Sequence, residues 1–281
     1  MSEAQTVSSL SIVSMIITLV LCFGVPIALA IWAKLRYKKA FSFVPLLLGA
    51  AGFLVFQGII RIPILQVLGQ MRWFQAFAEN NFWWYALLLS FTAGLFEEPA
   101  RFIVFSILKK RRSYVDGLSY GIGHGGIESM LIVGLAYVNN LVLSIMINTG
   151  TINSVIEATP ESARATLSKA VGQLSALDSS IFLAAGVERL LTVFVHIGLT
   201  LLVLRGFQTG KRWLWLGIAI AAHTVVNLTV IGLAHTGLSG WALEGVVAMF
   251  AALSLWLMVA QARAWRRLSS AQPTELSSEA G

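Results

Sequence analysis

The sequence predicts an all-α protein, a polytopic bundle of transmembrane helices. Of its 281 residues, 57% are hydrophobic and only 12% are charged, whereas a soluble domain carries about 25% charged residues. The apolar residues also form runs long enough to cross the roughly 30 Å of hydrocarbon in a bilayer. Basic residues cluster at the ends of these runs, as the signals that set membrane topology do.

Seven hydrophobic runs predict seven spans. They cover roughly residues 9–33, 41–60, 82–107, 114–147, 181–204, 213–234 and 240–262. The fourth run is longer than one straight span needs. It either tilts, extends past the bilayer or breaks near its glycines at Gly121–Gly126. A break there would raise the count to eight spans.

The basic residues predict that the N-terminus lies outside and the C-terminus lies in the cytoplasm. The segments after the first, third, fifth and last runs hold 14 of the 20 Lys and Arg residues. Four others fall in the predicted outer segments: Arg61, Arg72, Arg164 and Lys169. Cytoplasmic loops carry the excess of Lys and Arg, so the bias favours N-out/C-in. Short clusters do not form the continuous basic face that nucleic acid requires, so we expect no nucleic-acid partner.

Residues 1–267 are predicted to form one transmembrane domain. Within it, residues 149–180 form an outer loop. Apolar residues recur there at helical spacing, at Leu167, Val171, Leu174 and Leu177. This spacing predicts an amphipathic helix on the outer surface. The polar residues 268–281 are predicted to be a disordered cytoplasmic tail.

Ionisable residues inside the predicted spans are the main functional signal, because each costs about 2.5–3.5 kcal/mol on insertion scales. We measured their depth from the cytoplasmic end of each span at about 1.5 Å per residue. Glu97, His124, His196 and His223 come from four spans, yet all lie about 12–15 Å deep. Four helices that bring a Glu or His to one depth indicate one site.

Helical spacing links these residues to further polar groups. Residues three or four positions apart share one face of a helix. This spacing relates Glu97 and Glu98 to Arg101, His124 to Glu128, and His223 to Asn227. The glycines around His124 would let another backbone, or a substrate, approach closely.

Two hydrolytic chemistries use this set of residue types. In the first, two or three imidazoles and a carboxylate bind Zn²⁺ with one position open for water, and a second Glu acts as general base. In the second, a Glu activates water without a metal, while His and Asn donors stabilise the oxyanion. The sequence leaves both open, beside a structural reading in which buried ion pairs only tie helices together.

The residues of this predicted site resemble the YhfC family of intramembrane metalloproteases. That family belongs with the CAAX prenyl protease and bacteriocin-processing (CPBP, Abi) superfamily. The resemblance covers about residues 90–230 and rests on four motifs in order on separate helices. They are Glu97-Glu98-Pro-Ala-Arg101, Gly-Ile-Gly-His124-Gly-Gly-Ile-Glu128, Glu188-Arg189 with His196, and His223-Thr-Val-Val-Asn227. The superfamily motif is E-E-x-x-x-R, so the Arg is one residue closer here, which leaves open which Glu is the base.

The resemblance implies a helical membrane peptidase that cuts a membrane-protein or peptide substrate near the cytoplasmic side. We expect it in the lipid bilayer of a prokaryotic cytoplasmic membrane. The expected catalytic residues are Glu97, Glu98, Arg101, His124 and Asn227, and the expected Zn²⁺ ligands are His124, His196, His223 and Glu128. In these roles a Glu activates water, Arg101 orients a Glu, and Asn227 supports the oxyanion or a ligand.

Two other functions use the same residues. One is a non-catalytic membrane scaffold or bacteriocin-immunity-like protein, since the wider superfamily includes a scaffold subunit. The other is a proton- or metal-coupled transporter. A transporter should have paired broken helices in related halves, and the sequence offers only one candidate break.

Overall fold

A computed structural model describes residues 6–238 and 240–271. When directly continuous helical segments are joined, these residues form ten helices, and they contain no strand. In chain order the helices are α1 (Ser9–Ala40), α2 (Phe43–Gly69), α3 (Arg72–Asn80), α4 (Phe82–Ile107), α5 (Tyr114–Asn148), α6 (Ile152–Ala158), α7 (Glu161–Ala176), α8 (Ser179–Thr209), α9 (Arg212–His235) and α10 (Trp241–Ala271). The prediction of an all-α polytopic bundle is confirmed.

Six helices within the described residues are long and apolar enough to cross a membrane, namely α1, α2, α5, α8, α9 and α10. The protein is therefore an integral membrane protein. Helix α4 has 26 residues and spans about 39 Å at 1.5 Å per residue. It is not among those six, and its second half carries the charged residues Glu97, Glu98 and Arg101. We propose α4 as the seventh span.

Three contacts join helix ends that lie on the same side of the membrane if successive spans alternate in direction. The Val7 backbone N–H donates to Asn148 Oδ1 at 2.8 Å, joining the start of α1 to the end of α5. Gln208 Nε2 donates to the Arg112 carbonyl at 3.1 Å, joining the end of α8 to the segment before α5. Tyr37, near the end of α1, packs its ring 6.1 Å from that of Tyr114 at the start of α5. These contacts support seven alternating spans, which we keep as a proposal. They fit either orientation equally, so the proposed N-out/C-in orientation rests on the charge bias alone.

The long fourth run forms one continuous helix of 35 residues, α5. Its backbone stays α-helical through Gly121–Gly126 and becomes π-helical only at Ser129–Gly134. A break into two spans near the glycines is therefore wrong. The π-helical turn follows Glu128 directly, and such turns are frequent at functional sites.

Helix α8 lies at the centre of the bundle. Of its most apolar stretch 61% is buried, against 22–28% in the other five candidate spans. It contacts α1, α5, α9 and α10, while the first half of α5 also packs against the first half of α2. Large apolar side chains such as Ile59, Trp84 and Leu253 are exposed on the outside of the bundle, where lipid would cover them. The central position of α8 and α5 places His196 and His124 in the interior.

Helix α2 is longer than the sequence suggests. It continues to Gly69 and includes a π-helical segment, Leu54–Arg61. Arg61 is only 9% exposed. The prediction that Arg61 lies in an outer segment is therefore wrong, because the apolar residues 62–68 extend the helix past it. Of the basic residues assigned to outer segments, three lie outside the candidate spans.

The predicted amphipathic helix corresponds to α7, Glu161–Ala176. Its apolar residues Val171 and Leu174 are buried in a cluster with Met15, Tyr137 and Phe182, so this face contacts protein. Leu177 lies just beyond the helix and is 41% exposed. At the C-terminus α10 continues to Ala271, four residues into the predicted tail. The rest of that tail, 272–281, lies outside the described residues.

Candidate metal centre

The start and the close packing of α5 place His124 in the bundle. Ser113 and Asp116 form a capping box that fixes the start of the helix by pairing backbone donors that the first turn leaves free. A Cβ on Gly125 would lie 3.2 Å from His196 Cβ, so the missing side chain allows α8 to approach. The predicted close approach at these glycines is borne out, and the neighbour is a helix.

Glu97 and His124 meet between α4 and α5. Glu97 Oε2 lies 2.9 Å from His124 Nε2. The side chains are 3% and 0% exposed, so each group is shielded from water and has the other as its polar partner. The other imidazole nitrogen, His124 Nδ1, is buried without a hydrogen-bond partner.

His196 and Glu128 form a second pair beside Glu97 and His124. His196 Nε2 lies 2.6 Å from Glu128 Oε2, and His196 Nδ1 lies 3.9 Å from Glu97 Oε2. The opposite oxygen, Glu128 Oε1, accepts a hydrogen bond from Arg189 Nη1 at 3.1 Å. Arg189 also contacts the neighbouring Glu188, so its charge lies between two carboxylates.

Arg101 is fully buried beside this group and connects α4 to α8. Its Nη1 donates to Glu98 Oε1 at 2.7 Å, and its Nη2 lies 2.9 Å from His196 Nδ1. Its Nε donates to Thr200 Oγ1 at 3.2 Å. Because guanidinium stays protonated, it acts as donor in all three contacts. The rigid fork of donors therefore holds Glu98 and His196 in fixed orientations.

The twin Glu residues have separate surroundings. Glu98 Oε1 lies 2.8 Å from His223 Nδ1 and also accepts from Arg101, whereas Glu97 faces His124 and His196. The structure thus places His223 with Glu98 and apart from Glu97, His124, Glu128 and His196. Asn227 lies one turn further along α9, and it lines a cavity together with His223.

Four side chains could hold a metal ion: Glu97, His124, Glu128 and His196. One ligand atom from each lies within 4.8 Å of all the others. Two imidazoles with a carboxylate are the donor set of hydrolytic Zn²⁺ sites, which keep a further position open. The unpartnered His124 Nδ1 leaves the ring free to exchange its proton between nitrogens when Nε2 binds a cation. The residues present therefore fit a metal.

A cavity of about 310 Å³ adjoins the group. Glu97, Glu128 and His196 line it beside residues from α2, α9 and α10. The volume is at the lower end of the range for small-ligand sites, about 300–1,000 Å³.

Sequence reasoning missed two residues of this region. Sequence reasoning gave Arg189 no role in the metal centre, yet it pairs with Glu128 as well as with its neighbour Glu188. The sequence contains a feature that could have indicated this role. Arg189 precedes His196 by seven residues and therefore shares its helix face. Arg61 also lines the cavity, and it was assigned to an outer segment because the second predicted run ends at residue 60, nine residues before α2 ends at Gly69.

Comparison with known proteins identifies the family. A family model described as YhfC intramembrane metalloprotease matches residues 21–253. The chain is 30% identical to the uncharacterized membrane protein YhfC of Bacillus subtilis (strain 168), over 267 residues that cover 92% of this chain and 100% of that protein. No solved structure matches the chain. The matched range contains the whole candidate metal centre, and the chain belongs to the YhfC intramembrane metalloprotease family.

Proposed function

We propose that the protein is a metal-dependent peptidase that hydrolyses a peptide bond of a membrane-associated substrate. The observation that carries this proposal is the buried group of Glu97, His124, Glu128 and His196, whose ligand atoms lie within 4.8 Å of one another. A bundle that needed these residues only for packing would have no reason to bring four metal-binding side chains from three helices to one point beside a cavity.

The metal ligands in this proposal are His124, His196 and Glu128. Glu128 suits a ligand because Arg189 holds its second oxygen at 3.1 Å, and carboxylate ligands are commonly fixed in this way. A bound divalent metal supplies Lewis acidity, which polarises a scissile carbonyl and lowers the pKa of water. Zn²⁺ is the metal that this donor set favours.

Glu97 is the general base in the same proposal. It lines the cavity, and Oε2 lies 2.9 Å from His124 Nε2 and 3.9 Å from His196 Nδ1. Its carboxylate can take a proton from the attacking water and return it to the leaving amine. Because Glu98 Oε1 already has Arg101 and His223 as partners, Glu97 is the better placed of the two.

Glu98, Arg101 and His223 are positioning residues. Arg101 links Glu98 to His196, so this chain of contacts fixes the orientation of that imidazole before a metal binds. His223 and Asn227 line the cavity on the side of α9. Asn227 is half-buried, so its side-chain amide can donate to the oxyanion that forms during hydrolysis.

We propose that a membrane-embedded substrate reaches the cavity from the lipid side. The cavity's wall residues Val195, Leu199 and Val226 also line an apolar groove of about 510 Å³ between α8, α9 and α10. A membrane-embedded chain could reach the site through this groove without passing through water. Glu97 lies ten residues from the end of α4 at Ile107, about 15 Å at 1.5 Å per residue. In the proposed orientation, this depth puts hydrolysis in the cytoplasmic half.

Comparative terminal proteomics of membranes tests the proposal. We would compare cells that produce the wild-type protein, Glu97→Gln and, as a matched control, Gly217→Ala. Gly217 is exposed on α9, and a Cβ there meets no atom within 4 Å. New protein termini should occur with wild type and Gly217→Ala and disappear with Glu97→Gln. Identical termini in all three would overturn the peptidase proposal.

A further inference from the structure

Arg61 is a buried charge on the wall of the cavity. It lies at the end of the π-helical segment of α2 and is 9% exposed. Its Nη2 donates to the Leu89 carbonyl at 2.6 Å, its Nε to Thr92 Oγ1 at 3.1 Å, and its Nη1 to Gln57 Oε1 at 3.1 Å. All three acceptors are neutral.

The two other arginines beside the site, Arg101 and Arg189, have carboxylate partners. Arg101 pairs with Glu98 at 2.7 Å and Arg189 pairs with Glu128 at 3.1 Å. Among the described residues, no Asp or Glu oxygen lies within 4.0 Å of the Arg61 guanidinium. A charge buried without a counter-ion is costly, and intramembrane charges are almost always paired. Arg61 therefore forms no salt bridge with the described part of its own chain, and its electrostatic attraction to Glu97 acts over a longer distance.

The guanidinium also has donors to spare. It carries five N–H groups, and three are used by the neutral acceptors. The remaining two belong to Nη1 and Nη2, and they are free to donate to an anion. Gln57, Arg61 and Glu97 line the same cavity, so an anion there would be within reach of the hydrolytic group.

The spacing between Arg61 and Glu97 along the axis of α4 can be estimated from Thr92, the α4 residue that Arg61 contacts. Thr92 contacts Arg61 and precedes Glu97 by five residues, which is about 7.5 Å along a helix. An extended peptide advances about 3.3–3.6 Å per residue. Arg61 therefore lies about two residues of extended substrate away from Glu97.

We propose that Arg61 binds a carboxylate of the peptide substrate, about two residues from the bond that is hydrolysed. This inference rests on the proposed peptidase function and adds a specificity determinant to it. The carboxylate has two sources, the free C-terminus of a peptide or an acidic side chain. The deep position of Arg61 in the protein wall favours a group carried into the cavity over a lipid headgroup at the membrane surface.

A binding measurement tests the inference without turnover. Acetyl-tetraleucine as free acid, the same peptide as C-terminal amide, and an amidated peptide with one internal Asp would be titrated into detergent-purified protein. The metal-free Glu97→Gln protein would be measured beside wild type. We expect the free acid, the Asp peptide or both to bind at least about tenfold more tightly than the neutral amide, as for hydrogen bonds to charged groups. The acidic form that binds identifies the source of the carboxylate.

Variants assign the preference to Arg61. Arg61→Gln should remove it and Arg61→Lys should reduce it, while Arg72→Gln, an exposed arginine on α3, should retain it. Equal binding of acidic and neutral peptides to wild type would overturn the inference, even if the Arg61 variants failed to fold. A preference that persisted in Arg61→Gln would also overturn it, as would Arg61-dependent binding of inorganic phosphate alone.

The outcomes separate the two proposals. If the protein binds acidic peptides through Arg61 but generates no new termini in membranes, the peptidase proposal is wrong and the carboxylate site stands. If it cuts membrane substrates but has no preference for acidic peptides, only the carboxylate site is wrong.

Discussion

Glu97 Oε2 and His124 Nε2 lie 2.9 Å apart at the interface of α4 and α5. Glu98, next to Glu97 on α4, contacts His223, and Gly125, next to His124 on α5, packs against His196. Adjacent residues of one helix thus contact different partners. This division gives the two glutamates distinct expected roles.

Glu97 and Glu128 should respond differently to the same isosteric change. Glu97→Gln should keep the metal, because His124, His196 and Glu128 remain, but should lower hydrolysis by about 10²–10⁴-fold through loss of the base. Glu128→Gln should lose both metal and hydrolysis. Metal analysis paired with a cleavage assay on each variant distinguishes them. If both variants kept the metal, Glu128 would not be a ligand.

Arg189→Gln should weaken metal binding by about 10–100-fold, as is typical when the partner of a ligand is removed. The reason is that Arg189 donates to Glu128 Oε1 at 3.1 Å and fixes that carboxylate. Metal affinity is measured by competition with a chelator, with Arg72→Gln as the exposed control. Unchanged affinity in Arg189→Gln would limit Arg189 to a structural role.

His223→Ala should retain the metal, because His223 lies beside Glu98 and outside the four-residue group. It should lower the free energy of unfolding by about 1–3 kcal/mol, since Glu98 loses a buried hydrogen bond. His196→Ala is the comparison, and it should lose the metal. Metal content and thermal unfolding of both variants provide the check. Metal loss in His223→Ala would restore it as a ligand, as the sequence suggested.

Gly123→Ala should destabilise the bundle by about 1–3 kcal/mol, the usual cost of overpacking. A Cβ at Gly123 would lie 2.7 Å from the Leu46 carbonyl carbon on α2, and neither backbone can move away cheaply. Gly217→Ala, with open space around it, should be neutral or stabilising by up to about 1 kcal/mol. Thermal unfolding in detergent compares the two. Equal unfolding temperatures would contradict the close packing of α2 and α5.

Much of this fold could be predicted from the sequence, because hydrophobic length and charge clusters depend only on local composition. The shared depth of Glu97, His124 and His196 likewise follows from helical rise. Their contacts with one another could not be derived from depth alone, since depth does not say which way each helix face turns. The same limit explains why His223 was grouped with the metal ligands although it faces Glu98.

Arg61 illustrates a second limit. A charged residue at the end of a hydrophobic run is normally read as the boundary of a span. Here residues 62–68 continue the helix, and neutral acceptors from Gln57, Leu89 and Thr92 surround the charge. Tertiary contacts on another helix made this burial possible, and no local pattern records them.

The most direct test of the central claim is the metal stoichiometry of purified protein after equilibrium with Zn²⁺ and removal of loosely bound ions. Wild type, His124→Ala and Gly217→Ala would be measured side by side by elemental analysis. We expect about one metal per chain in wild type and Gly217→Ala, and loss of it in His124→Ala, because a structural or catalytic zinc site depends on each of its few ligands. No tightly bound metal in wild type, or the same content in His124→Ala, would contradict a metal centre whose ligands are His124, Glu128 and His196.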